Sequence, residues 1–247
     1  MYQPIMKTRK ILIVVVLIFV VTGVFTECKK NNDEKKTCRL TTANFPRTNI
    51  VYQLSYNSNG KLSSVTIGDT VTTYTYSGNT TIATSFESGT FIRKNILTLN
   101  DAGLTANIRT EIDITGNNWH NKAYEYNGVE LIKSTLTFST GTSSSVTTYT
   151  WSNGNMVSVT SASVTNILDY YLDKPNQGGD AFNQSPFLVY QFIQGYEIYR
   201  TKNLLKSIAG ETFAYDFRPD GNISSVRAIS GNANDTIVKY EYQCDNI

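Results

Sequence analysis

YQLSYNSNGKLSSV, residues 52–65, is the stretch that decides the architecture. Tyr52, Leu54 and Tyr56 alternate with polar residues, Asn57-Ser58-Asn59-Gly60 interrupts the run, and Leu62 and Val65 open another. Alternation with a period of two places one side of a strand on an apolar face. Asn and Gly supply the positive φ that a tight reversal demands. The stretch reads as a β-hairpin.

The same phrase recurs along the chain. Tyr124-Glu125-Tyr126-Asn127-Gly128 runs into Leu131, and Tyr149-Thr150-Trp151-Ser152-Asn153-Gly154 runs into Met156. Phe213-Ala214-Tyr215-Asp216-Phe217 is turned by Arg218-Pro219-Asp220-Gly221 into Ile223 and Val226. Thr, Val, Ile and Tyr dominate these runs because branched and aromatic side chains pack well on a pleated surface. Nothing after residue 48 sustains a helical period for three turns. About a dozen or more strands of five to ten residues are expected, mostly joined by short loops. A sheet of so many hairpins has to manage its edges, and consecutive hairpins favour a meander over a Greek key. The predicted fold is all-β, an antiparallel up-and-down barrel or strongly curved half-barrel over residues 49–247. One region breaks the rhythm: Leu172–Pro186 is a long non-periodic loop, and Phe187–Ile193 after it reads as a buried strand or a short helix. An excursion of this length suits a cap, a plug, a binding loop or a disordered crossover.

Ahead of the barrel stand a targeting segment, residues 1–27, and a linker, residues 28–48. Lys7, Arg9 and Lys10 make a positive start, followed by an apolar run from Ile11 to Phe25 that only Thr22 and Gly23 interrupt. At about 15 residues this run suits a signal peptide and is short for a bilayer span. Cys28 follows it closely, where a bacterial lipoprotein presents the thiol that receives lipid, and the polar Lys29–Lys36 stretch suits a tether. Glu27 stands where a lipobox usually carries a small residue, and a cut after Gly23 is the alternative. Cys38 and Cys244 are left to form a bridge across the two ends of the mature chain, or to stay free. Loss of residues 1–27 removes three of 22 basic and one of 20 acidic residues, so the mature chain is close to neutral. No basic stripe stands out, and nucleic acid is not an expected partner.

Few residues are placed for chemistry. His120, the only histidine, lies among Gly116-Asn117-Asn118-Trp119 and Asn121, and reads as a solvated loop imidazole. No Cys-x-x-Cys pair or second histidine makes a metal centre, and no glycine turn matches a nucleotide fingerprint. No catalytic, metal or cofactor residue is assigned. Glu111 and Asp113 are one strand step apart and would share a face as a weak calcium or acid/base site. The other carboxylates, such as Glu87, Asp101, Glu125, Glu130, Asp169 and Asp216, carry no mark of a glycosidase-like pair, and Asp220 is explained by its turn. The sixteen tyrosines suit a carbohydrate-stacking surface, but pairs placed before each turn are better read as cross-strand structural partners. Lys122, Lys133, Thr147 and Lys239 are read as an outward polar face, which disfavours a lipid-facing band.

The carboxy-terminal third carries a resemblance. Lys174-Pro175-Asn176, Ser185-Pro186-Phe187, Asn203-Leu204-Leu205-Lys206, Phe213-Ala214-Tyr215 and Asp220-Gly221, in that order, resemble a family of uncharacterised Bacteroidetes lipoproteins, a domain of unknown function described as a porin-like up-and-down barrel. The resemblance spans roughly Asn49 to Cys244. The hairpin phrase also resembles the tyrosine-aspartate repeats of large toxin shells, in far fewer units. The family resemblance implies an outer-membrane lipoprotein and carries no catalytic residue. Asp33-Glu34 is similar to a surface-export signal of such lipoproteins. Asp69-Thr70-Val71 and Asp235-Thr236-Ile237 match the pattern on which these bacteria O-glycosylate threonine, which points to Thr70 and Thr236. The expected role is a non-enzymatic binding or scaffold module for a glycan, lipid or peptide. The competing readings are a carboxylate-dependent hydrolase and a structural or adhesive surface protein.

Overall fold

The computed structural model describes residues 37–141, 143–180, 198–230 and 233–245. The targeting segment, Cys28 and the Phe187–Ile193 run lie outside them. The described residues form sixteen strands: β1 (Thr37–Phe45), β2 (Ile50–Tyr56), β3 (Leu62–Ile67), β4 (Thr70–Ser77), β5 (Thr80–Glu87), β6 (Thr90–Leu99), β7 (Thr105–Glu111) and β8 (Trp119–Asn127) make the first half. The second half is β9 (Glu130–Phe138), β10 (Ser144–Ser152), β11 (Asn155–Ser161), β12 (Val164–Pro175), β13 (Asn203–Ile208), β14 (Glu211–Phe217), β15 (Ile223–Ser230) and β16 (Ala233–Asp245). Each strand pairs antiparallel with its sequence neighbours, and β1 pairs with β16, so the meander closes into a barrel. The barrel begins at Thr37, inside the segment read as linker. Leu40, Ala43 and Phe45 belong to the core or pack on it, and the Pro-Arg-Thr-Asn turn at 46–49 hid a strand that precedes it.

At the closing seam Cys38 stands opposite Cys244, and the two are disulfide-bonded across a sequence separation of 206 residues. Both chain ends therefore leave from one rim. The turns after β2, β8, β10 and β14 lie on that same rim, as Arg39 against Gly60 and the bridge sulfurs against Asp220 attest.

Alternation sends Tyr52, Leu54, Tyr74, Leu97, Tyr124, Tyr149, Phe213, Tyr215 and Tyr240 inward, where they form one buried cluster with Leu62, Val65, Leu131, Met156 and Val226. Near the chain-end rim the aromatics form a repeated clasp. In seven of the eight even-numbered strands an aromatic donates to a backbone carbonyl of the preceding strand: Tyr56 to Leu40, Tyr76 to Leu62, Tyr126 to Thr105, Trp151 to Leu131, Tyr170 to Met156, Tyr215 to Leu205 and Tyr242 to Ile223, at 2.6–3.0 Å. Burial pushes the hydroxyl pKa of Tyr56, Tyr126 and Tyr242 up to about 12, so these groups stay protonated donors. In β6 the matching position is Leu99, which cannot donate. The recurring Tyr-x-Tyr phrase is thus structural, and its second ring anchors each hairpin to the strand before it.

β-Bulges fall just before Tyr56, Tyr126, Trp151 and Tyr170 in β2, β8, β10 and β12, and before Leu99 and Phe217 near the same ends of β6 and β14. Each adds local twist where the strand reaches its turn, which is how a closed sheet bends. The outer face carries ion pairs. Lys133 meets Glu125 at 2.8 Å, Lys206 meets Asp169 at 3.0 Å and Arg227 meets Asp216 at 2.9 Å. Val51, Val71, Ile92, Val146 and Ile167 are exposed among these pairs, so the outer face mixes charged and apolar side chains.

Candidate functional site

At the chain-end rim the two ends of the excursion between β12 and β13 pack against the inside of the barrel. On one side Gly179 lies against the Tyr240 ring, and the wholly buried Asp180 accepts the backbone N–H of Leu205. On the other side Ile198 is buried in the core, Tyr199 packs on Tyr149 at 5.9 Å, and Arg200 donates to the Gly103 carbonyl in the turn after β6. The ends of the excursion thus reach opposite walls. Residues 181–197, on which the reading of a cap, plug, binding loop or crossover falls, lie outside the described residues.

At the opposite rim β7, β8 and β9 leave a cavity of about 290 Å³. Its making can be followed from the loop at 112–118. Asp113 holds that loop by accepting from the Thr115 hydroxyl and from the backbone N–H groups of Thr115, Asn117 and Asn118. The loop delivers Trp119 as the first residue of β8. Arg109 stacks on the Trp119 ring from the outer face at 4.5 Å, and alternation then turns the next residue, His120, inward. Lys122 and Tyr124 follow on the same inner face. Cross-strand register completes the wall: His120 lies between Thr110 and Phe138, and Lys122 between Ile108 and Leu136.

Besides the Tyr124 hydroxyl, three polar side chains interrupt an otherwise apolar wall. Thr110 donates its hydroxyl to Asn95 Oδ1 at 2.7 Å, so it offers the cavity only acceptor capacity. The His120 ring lies 6.3 Å from that of Phe138, and its pKa is lowered by burial. Burial also lowers the pKa of Lys122, whose ammonium lies 5.7 Å from the centre of the Tyr124 ring on the deep side of the cavity. Among the described residues neither Lys122 nor His120 meets a carboxylate. Farther along the inner wall, Arg93 on β6 keeps its Nε buried with no hydrogen-bond partner among the described residues.

His120 is therefore a strand residue in a cavity and not a loop imidazole; the Gly/Asn-rich stretch that suggested a loop ends at Asn118. Lys122 and Thr147, read as outward, face inward beside Tyr124 and Tyr149, whereas Lys133 and Lys239 do face out. Counting alternation back from Tyr124 would have found Lys122 and His120. Glu111 and Asp113 do not share a site. Lys94 at 2.5 Å, with Arg109 beside it, holds the Glu111 carboxyl below the usual range, and Asp113 is likewise held low by its own loop, first by Thr115. Among the described residues no carboxylate lines the cavity. Cys38, Cys244 and Asp220 come within metal-ligand reach of one another, but the bridge consumes both thiolates. Thr70 begins β4 opposite Glu87, and Thr236 pairs with Arg227; both are half-buried.

The chain shares its fold with a porin-like protein from Bacteroides. The crystal structure of that protein, from Bacteroides uniformis, superposes with a TM-score of 0.59 at 17% identity, over 83% of this chain and 98% of the other. A porin-like protein from Bacteroides vulgatus matches at a TM-score of 0.45 and 12% identity, over 83% and 99%. The Tc holotoxin pore of Photorhabdus luminescens matches at 0.34 and 16%, over 76% of this chain and 9% of its own. At these identities the first likeness establishes the fold. No protein-family model matches the sequence. No curated protein matches it.

Proposed function

We propose that this chain is an envelope-tethered barrel that binds a small molecule in the β7–β9 cavity and carries out no chemistry of its own. The observation that carries this reading is the asymmetry of the interior. One end carries the aromatic clasp and the inward-packed ends of the excursion, while the other keeps a wall-lined cavity with His120 and Lys122 turned into it. Barrel mouths of this kind, apolar with a few placed polar groups, are recurrent ligand sites. The lipoprotein reading gives the asymmetry a direction. A tether ending at Thr37 leaves from the chain-end rim, so a lipid on Cys28 would hold that rim toward the membrane and turn the cavity away from it.

Two measurements test this. Metabolic labelling with a clickable palmitate should mark the wild-type chain and be lost in Cys28→Ala, and an unlabelled wild type would remove the tether. Occupancy can be followed at His120, the only histidine of the chain, whose ring resonances report on the cavity alone. A neutral apolar probe, 1-octanol, should shift them saturably, and a Leu136→Trp chain, with its cavity filled, should not respond. A wild-type chain that shows no saturable shift with any alkyl probe would end the binding reading.

A further inference from the structure

The cavity also indicates the kind of molecule it takes. Lys122 is the decisive residue. It is inward-facing, it lies beside an aromatic ring in a mostly apolar wall, and no carboxylate among the described residues offsets it. A cation kept in such surroundings costs free energy that a structural role would normally recover with a partner. Among the described residues its one partner is the Tyr124 ring, and the rest of its surroundings are a cavity bounded by Ile108, Leu136 and Phe138. We infer that the cavity binds a monocarboxylate with an apolar body, its carboxylate on the Lys122 ammonium and the His120 N–H, and its body against those three side chains. This rests on the binding reading above and narrows it to one class of ligand.

The donor count favours one negative charge. Lys122 brings a full charge and rotatable donors. His120, whose pKa is lowered by burial, brings a ring N–H, and the Thr110 hydrogen is already committed to Asn95. One charge with two donor groups matches the two oxygens of a carboxylate, whereas a phosphate dianion would leave a charge unbalanced in an apolar wall. His120 and Lys122 are two residues apart on one strand face, roughly 6.5 Å, close enough to grip one small headgroup. Size sets the body. At roughly 30 Å³ for each water-sized atom, the cavity holds about ten heavy atoms, which is the size of octanoate.

The experiment compares three probes of one length, octanoate, 1-octanol and octylammonium. Each is titrated into the full chain in lipid nanodiscs and read at the His120 ring, with empty discs correcting for partition. Octanoate should bind about tenfold or more tighter than octanol, as a charge-assisted contact of modest strength gives. Octylammonium should bind more weakly than octanol. In Lys122→Met the octanoate advantage should vanish while octanol binding stays, and Lys122→Arg, which keeps the charge, should preserve the order. Octanol and octanoate binding equally well to wild type would overturn the carboxylate assignment and leave the binding site standing. An octanoate preference that survives in Lys122→Met would overturn the role of Lys122. Silence with all three probes would instead strike the binding reading itself. Replacing octanoate by 3-phenylpropionate in the same titration separates an aliphatic from an aromatic body.

Discussion

Removing the seam disulfide, through the double substitution Cys38→Ala and Cys244→Ala, perturbs the contact that joins the last strand to the first. The bridge spans 206 residues of sequence, nearly the whole barrel. The chain-entropy expression for a loop of that length gives about 5 kcal/mol of constraint on the unfolded chain, and the usual measured range makes a loss of about 3–5 kcal/mol the expectation. That is a large part of the 5–15 kcal/mol that holds a typical domain together. For a chain of this size it corresponds to a fall in Tm of about 10 °C or more. The barrel should still close, because the β1–β16 ladder keeps its other pairs from Thr37–Asp245 to Asn44–Lys239. The assay is equilibrium unfolding in urea followed by Trp119 and Trp151 fluorescence. Wild type under reductant should reproduce the double variant. A midpoint unchanged in both arms would show that the unfolded chain is not constrained by this link, and the entropic reasoning would fail.

Further outcomes follow from the interior and from the outer face. Lys122→Met should raise the stability of the ligand-free protein by about 1 kcal/mol near neutral pH, the low end for a partly buried polar group without a partner; the lysine's lowered pKa means that wild type gains stability as pH rises toward the unfolded value, and this gain should disappear in the variant's pH–stability curve. Tyr215→Phe removes a 2.7 Å bond to the Leu205 carbonyl and leaves that buried acceptor unmet, so a loss of about 1–2 kcal/mol in chemical denaturation is expected. Glu111, held below its ordinary pKa of 4.5 by Lys94 and Arg109, contributes stability that is complete above that value and lost as pH falls through its lowered pKa. Glu111→Gln should therefore flatten the acid limb of a pH–stability curve. Gly179 has φ of +95°, and a Cβ there would come within 3.0 Å of the Tyr240 ring, so Gly179→Ala should cost about 1–3 kcal/mol and loosen the excursion, read as faster proteolysis near residue 180.

Much of this barrel is legible in local chemistry. Tyr52 to Val65 alone fixes a hairpin, its inner face and its turn, and repetition of the phrase implies a closed or nearly closed meander. Closure itself is a long-range property, and the sign of it in the sequence is the pair Cys38 and Cys244 near the two ends, which stand opposite each other on β1 and β16. β1 was hidden because Thr37–Phe45 alternates poorly and is followed by the Asn/Pro/Arg stretch that forms its turn. The cavity was harder to see. His120 sits directly after a glycine- and asparagine-rich loop, and local composition speaks for the loop rather than for the strand that starts at Trp119. Lys122 was assigned to the outer face because lysine usually seeks water. Its direction is set by Tyr124 two residues on, and a period-two count from that buried ring outweighs the preference of the side chain itself. The excursion defeats sequence reading for another reason. The partners of Asp180 and Arg200, Leu205 and Gly103, are chosen by the closed shape and not by neighbours in the chain.

The position of the disulfide has a mechanical consequence. Cys38 is the second residue of β1. A pull transmitted along the N-terminal segment meets the covalent link to β16 almost as soon as it enters the barrel, so β1 cannot be peeled from its neighbour one pair at a time. The load passes at once into two strands and runs along their length, where many ladder bonds have to fail together. A barrel hung from its N-terminal end would resist shear at that point far better than the same barrel with its bridge reduced.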